Sequence, residues 1–206
     1  MDAIFKEWLV QKEQVTQTSA DANAIQPPVE IDVFVHIILS SAESIANQAK
    51  GVEQEQIDIL NESYVNADGT PAFVFNLVQV LTWVKSSWWN GNINADNDMK
   101  RNTRQGGMST LNVWFKDIPN DSLGYAYLPS QNVGIRDGVV NHHAAVNGGS
   151  YINYNLGDSL VHEVGHWLGL LHSKKTNHQI FPSHRSHPKS HFVTIFAFPF
   201  SFQRRL

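Results

Sequence analysis

The chain has 206 residues, of which 42% are hydrophobic, with six tryptophans and eleven phenylalanines for bulky burial. That size suits one ordinary domain with extras, and the composition is enough for a core. A formal net charge of −4 gives no reason to expect nucleic acid as a partner, and no apolar run reaches the length that spans a bilayer.

Residues 1–25 read as an amphipathic start, with Phe5, Trp8 and Leu9 sharing a helical face, followed by a polar linker. Charges near Met1 interrupt the apolar stretch that a signal peptide needs. Pro27 and Pro28 break the chain before residues 31–39, a β-branched run that predicts a buried strand. Residues 53–65 carry Ile57, Leu60 and Tyr64 at helical spacing. Asp68-Gly69-Thr70-Pro71 is a turn signal, and residues 73–84 alternate as a strand does. Residues 90–107 are rich in Asn, Asp and Gly and read as a loop with a short helical turn near Met99. Asn94, Asp96 and Asp98 alternate within it as oxygen ligands of a calcium ion would. The glycine and closing glutamate of a calcium loop are missing, so a solvated loop is the preferred reading. Residues 110–115 are a further strand. Gly148-Gly149 is a turn, and Asn155 or Asp158 can cap a helix that runs to about Leu170.

That last helix carries the chemistry. His162-Glu163-Val164-Gly165-His166-Trp167-Leu168-Gly169-Leu170-Leu171-His172 has the spacing H-E-x-x-H-x-x-G-x-x-H. Five fixed positions coincide by chance in about one chain of this size in a hundred thousand. His162 and His166 are one helical turn apart and point from the same face. A third ligand requires the chain to bend back, and Gly169 supplies the left-handed residue that such a bend needs. His172 can then complete three nitrogen ligands, leaving a fourth position for water as in a catalytic zinc site. Glu163 lies about 100° around the helix. It is badly placed to join the metal and well placed to act as general base on a zinc-activated water, then as acid to the leaving amine. The competing reading is an amphipathic core helix with incidental histidines, for which Leu160, Val164, Leu168 and Leu171 provide the apolar stripe.

The motif is the metzincin signature, and from about Ile31 to His172 the chain resembles the catalytic domain of pappalysin-type metzincins, above all the secreted fungal extracellular metalloproteases. The resemblance is carried by the order and spacing of several segments. These are Ile31-Asp32-Val33-Phe34-Val35-His36-Ile37-Ile38, Ile57-Asp58-Ile59-Leu60-Asn61-Glu62-Ser63-Tyr64, Leu111-Asn112-Val113-Trp114-Phe115, Leu123-Gly124-Tyr125-Ala126-Tyr127-Leu128-Pro129 and Asp137-Gly138-Val139-Val140. It implies an α+β fold: a twisted mixed β-sheet with two main helices, one of them the zinc-binding helix. It also implies a secreted, monomeric zinc endopeptidase acting on protein and peptide substrates, with neither nucleic acid nor membrane as partner. Such enzymes bind substrate extended along a sheet edge, which places Asp137, Gly138, Val139, Val140 and Asn141 as the substrate-binding edge strand. His142 and His143 follow as an exposed strand end rather than a ligand pair, because adjacent side chains face opposite sides of a strand.

The remainder departs from that family. Every acidic residue lies at or before Glu163, while Lys174, Lys175, Arg185, Lys189, Arg204 and Arg205 follow His172. The family's C-terminal subdomain brings a methionine turn beneath the zinc and a tyrosine that supports the oxyanion. Here Met1, Met99 and Met108 all precede the zinc motif, no tyrosine follows Tyr154, and no cysteine is present. The expected division is a leader or linker remnant at 1–25, the metzincin N-terminal catalytic subdomain at 26–172, and a non-family basic and aromatic tail at 173–206. On this reading the chain is a truncated gene product. The tail's His178, His184, His187 and His191 are taken as non-native, and its uncharged aromatic run near the end as prone to aggregation. The alternative function is an inactive zinc- and peptide-binding fragment.

Overall fold

A computed structural model describes residues 27–41, 47–120, 122–129 and 134–172; the amphipathic start and the tail after His172 lie outside the described residues. Strand β1 (Val29–Leu39) is the centre of construction. Its odd positions, Ile31, Val33, Val35, Ile37 and Leu39, enter one core, and Ile38 enters a second core on the opposite face. A strand buried on both faces needs a continuous apolar run rather than a strict alternation, which is what residues 31–39 supply.

Helix α1 (Glu53–Ser63) follows, then β2 (Phe73–Val84), the four-residue helix α2 (Ser86–Trp89), and helix α3 (Ile93–Thr103). Strands β3 (Leu111–Lys116), β4 (Gly124–Ala126) and β5 (Val139–His142) come next, and helix α4 (Asp158–Trp167) carries the histidine motif. The five strands form one sheet in the order β2-β1-β3-β5-β4. β1 pairs parallel to β2 and β3, and β3 parallel to β5. β4 alone runs antiparallel, along β5. The chain is therefore α+β around a mixed sheet. Helices α1 and α4 cover one face through Ile57, Leu60, Leu160, Val164 and Trp167. Trp88 of α2 and Met99 of α3 cover the other, against Trp114 and Val140.

Three side chains tie these elements together. Asn47 donates to Ile38 O (2.9 Å) and Phe115 O (2.8 Å), joining the ends of β1 and β3. Asn61 of α1 exchanges two hydrogen bonds with the Phe75 backbone of β2. The Tyr64 hydroxyl donates to Val161 O of α4 at 2.6 Å.

Residues 90–107 correct the sequence reading. A helix of 11 residues stands there instead of a loop. The polar composition conceals its start: the Asn92 side chain caps it by accepting from Asn94 N–H and Ala95 N–H, a role for which Asn is favoured. Nor do the three alternating residues converge on a cation. Asp96 is buried in an ion pair with Lys116 (2.7 Å) and accepts from the Tyr125 hydroxyl, whereas Asp98 accepts from Trp88 Nε1 at 2.8 Å.

His36, in the middle of β1, is fully buried. It stacks on Trp114 with ring centroids 5.0 Å apart, its Nδ1 accepts from Trp83 Nε1 (3.2 Å), and its Nε2 donates to Asn112 Oδ1 (2.9 Å). Both nitrogens are thus committed to the neutral form, and burial pushes its pKa from 6.5 down to about 4. Between those values the unfolded chain binds a proton that the folded chain refuses, so stability falls as pH drops through that window. We expect the midpoint of urea unfolding to decline between pH 6.5 and 4, and His36→Phe to flatten that slope whatever its effect at neutral pH. An unchanged slope would show that His36 is not the responsible group.

Candidate metal centre

Helix α4 starts without a side-chain cap: Gly157, at φ +86°, turns the chain into it, in place of the expected Asn155 or Asp158. It also stops at Trp167, three residues short of Leu170. The stop is a Schellman closure. Gly169 N–H donates to His166 O (2.9 Å) and Leu170 N–H to Gly165 O (2.8 Å), the paired bonds that a left-handed residue makes at a helix end. Gly169 holds that conformation at φ +99°.

The bend delivers His172. Its Nε2 lies 3.1 Å from His166 Nε2 and 3.0 Å from His162 Nε2, and the latter two are 3.1 Å apart. These contacts cannot all be hydrogen bonds. Each imidazole Nε2 offers either a hydrogen or a lone pair, so a closed triangle always brings two like groups together. The second nitrogen of His166 decides which it offers: Nδ1 faces Leu170 O at 2.8 Å and donates to it. In the neutral ring that leaves a lone pair on Nε2, the arrangement of a metal ligand with a carbonyl behind it. Partial burial, with His166 and His172 nearby, holds the His162 pKa below its usual value and favours the neutral ligand form. Tetrahedral coordination at about 2.0–2.1 Å separates nitrogens by about 3.3 Å, close to what is observed. His162 and His172 are exposed and His166 is half-buried, so a held ion would keep a side open to solvent.

Glu163 lies apart from this triangle, 8% exposed. Burial raises its carboxyl pKa, with the opposing pull of His166 and of a hydrogen bond from Ala126 N–H. That donor belongs to β4. The bond from His142 N–H to Leu123 O sets the alternation of the antiparallel pair, so Gly124 and Ala126 turn their backbone groups to the open edge.

The substrate edge expected at Asp137, Gly138, Val139, Val140 and Asn141 is not an edge. β5 is sandwiched between β3 and β4, and Val139, Val140 and Asn141 are all fully buried. Neighbour order in a sheet is a tertiary outcome, and the strand's own residues do not encode it. The free edge on this side is β4. Asp137 precedes β5 and is closed off: it accepts from Arg104 Nη2 (2.8 Å) and from Nε1 of Trp167, the last residue of α4 (3.1 Å). It anchors the histidine helix. Gly138, at φ +96°, packs so closely that a Cβ there would lie 2.5 Å from the Trp114 ring.

His142 and His143 also differ from expectation. They are buried, and their rings stack at 4.8 Å rather than facing apart; β5 ends at His142, so His143 already lies within the turn that Ala145 N–H closes on His142 O. Asp117 stands beside them as a possible third ligand. The hydrogen bonds oppose that use. His142 Nδ1 accepts from Ala144 N–H (3.1 Å) and His143 Nδ1 from Gln48 N–H (3.3 Å), which leaves each neutral ring with its hydrogen on Nε2. His142 directs that hydrogen at Asp117 Oδ1, 3.1 Å away.

Sequence reasoning missed Tyr64, the Leu170 carbonyl and Ala126. Two act through backbone atoms, which leave no trace in residue type, and Tyr64 reads as an ordinary core residue. Gly169→Ala should cost about 1–2 kcal/mol through its left-handed conformation and weaken divalent-metal binding by loosening His172. Calorimetric unfolding and metal titration check the pair; unaltered metal affinity would mean that the bend does not carry His172.

No family model matches the chain. Among individual proteins it is 36% identical over 157 residues to extracellular metalloprotease 1 of Coccidioides posadasii, covering 72% of this chain and 54% of that protein. An extracellular metalloprotease of Colletotrichum graminicola is 37% identical over 154 residues, covering 71% and 52%. Among solved structures, mature mirolysin of Tannerella forsythia in complex with a cleaved peptide superposes with TM-score 0.56 at 27% identity, covering 72% of this chain and 66% of that one. Mirolysin in complex with compound 9 gives 0.57 at 27% identity, covering 72% and 65%. The chain spans about half the length of the curated relatives it matches. It is a homologue of the fungal extracellular metalloproteases and shares the fold of the metzincin mirolysin.

Proposed function

We propose that the chain is a zinc metalloendopeptidase that hydrolyses extended protein substrates, with residues 26–172 as its N-terminal catalytic subdomain. The observation that carries this is the convergence of the His162, His166 and His172 Nε2 atoms within 3.0–3.1 Å, beside a carboxylate that is not one of them. The relatives' names imply a catalytic metal. An all-imidazole set with an open side suits zinc over the hard cations that prefer oxygen.

Bound there, zinc would polarise the scissile carbonyl and acidify a water. The chain's own contribution is proton handling. Glu163 takes the proton from the attacking water and passes it to the leaving nitrogen. Its raised pKa suits both duties, since the protonated form must be accessible after the first step. Ala126 N–H holds the carboxylate during this exchange.

Substrate binding moves from β5 to β4. The outward Gly124 N–H and Ala126 C=O offer main-chain hydrogen bonds to an extended peptide, the usual logic of strand addition at an open edge. The mirolysin structure with a cleaved peptide is consistent with a peptide as ligand. We take the protein to act outside the cell, as its relatives' names suggest, as a monomer and without nucleic-acid or membrane partners. Among the described residues no helix is long and apolar enough to cross a membrane.

Glu163→Ala should retain stoichiometric zinc and lose cleavage of a fluorogenic peptide by about two to four orders of magnitude. Full activity in that variant would overturn the role of Glu163. Stoichiometric zinc with no cleavage by the unaltered chain would instead favour the inactive zinc- and peptide-binding reading.

A further inference from the structure

We infer that Gly124 is a positioning residue for Glu163: its missing side chain makes the room at the β4 edge in which the Glu163 side chain lies. The inference rests on the reading of Glu163 as the proton-transferring group.

Gly124 is a strand residue outside the left-handed glycines of the chain, so its backbone conformation is open to any residue. Space is what excludes a side chain. A Cβ at this position would lie 2.8 Å from Glu163 Cγ, 3.0 Å from Val140 O and 3.3 Å from Asn141 Oδ1. The first distance is shorter than carbon atoms approach one another, and the second is tight.

The surroundings determine what yields. Helix α4 cannot retreat easily: Trp167 ties its end to Asp137 (3.1 Å), and Tyr64 holds Val161 O from the far side (2.6 Å). β4 is paired with β5 on its inner side through Tyr125 and Val140. The Glu163 side chain is the movable part. Displaced from Gly124, it leaves the Ala126 N–H that lies two residues along the same open edge. β4 would thus do two things for the carboxylate, a donor at Ala126 and a gap at Gly124. His162, one residue before Glu163, takes no part in that contact, so metal binding is separable from it.

The test is a double-mutant cycle on the full chain, with Gly124→Ala introduced into the unaltered protein and into Glu163→Ala. Zinc content, peptide kcat and KM, and the unfolding midpoint are read. In the unaltered background kcat should fall about ten- to a hundredfold, as expected for a misplaced catalytic group, by clearly more than any rise in KM, with zinc content nearly unchanged. Gly124→Ala should also lower the unfolding midpoint by clearly more in the unaltered background than in Glu163→Ala, where Cγ is gone. Equal losses of stability in both backgrounds, or an unchanged kcat, would overturn the proposal. Failure to fold in both backgrounds would overturn it as well, since the contact with Val140 O would then dominate. Failure only where Glu163 is present would support it. If the unaltered chain cleaves no peptide, the peptidase reading fails, and the unfolding comparison still decides whether the contact exists.

Discussion

The site depends on how helix α4 ends. Had the helix continued past Trp167, residue 172 would lie on a further turn, away from His162. Gly169 at φ +99° and its two backbone bonds fold the chain back within three residues. The same bend does a second job. It aims the Leu170 carbonyl at His166 Nδ1 and so fixes the tautomer that leaves Nε2 as an acceptor. One local backbone device thus sets both the position of the third imidazole and the electronic state of the second. Three such nitrogens at 3.0–3.1 Å satisfy one another poorly and a shared cation well.

The sheet holds this helix from several directions. Asp137 grips Trp167 at one end, Tyr64 reaches Val161 in the middle, and β4 accommodates Glu163 along its edge. Asp137 can do so while buried because Arg104 neutralises it at 2.8 Å; an unpaired buried carboxylate would be costly. The antiparallel β4 matters for a further reason. An outer strand running against its neighbour turns the backbone groups of alternate residues away from the sheet, and here those residues, Gly124 and Ala126, are the two that border Glu163. The geometry that seats the carboxylate therefore also leaves a sheet edge open next to it.

Much of this was legible in the residues. The spacing from His162 to His172 encodes a helical turn followed by a glycine bend, both local, and both appear in the structure. The strand at 31–39 follows from a β-branched run and that at 73–84 from its alternation. The illegible parts are those decided by neighbours. Val139 and Val140 look like any amphipathic or buried strand, and nothing in them says that Gly124–Ala126 covers their outer side. Helix α3 was hidden because its Asn and Asp residues serve as a cap and as a buried ion-pair partner, roles assigned only once Lys116 and Trp88 are in place. His142 and His143 stack because β5 ends between them, a boundary that alternation along the sequence cannot reveal.

X-ray absorption at the zinc edge on the purified, metal-loaded protein tests the central claim most directly, because it counts the ligands themselves. The account predicts three imidazole nitrogens at about 2.0–2.1 Å and one further light atom from solvent. Two or fewer imidazoles, or a fourth protein ligand closing the shell, would contradict it.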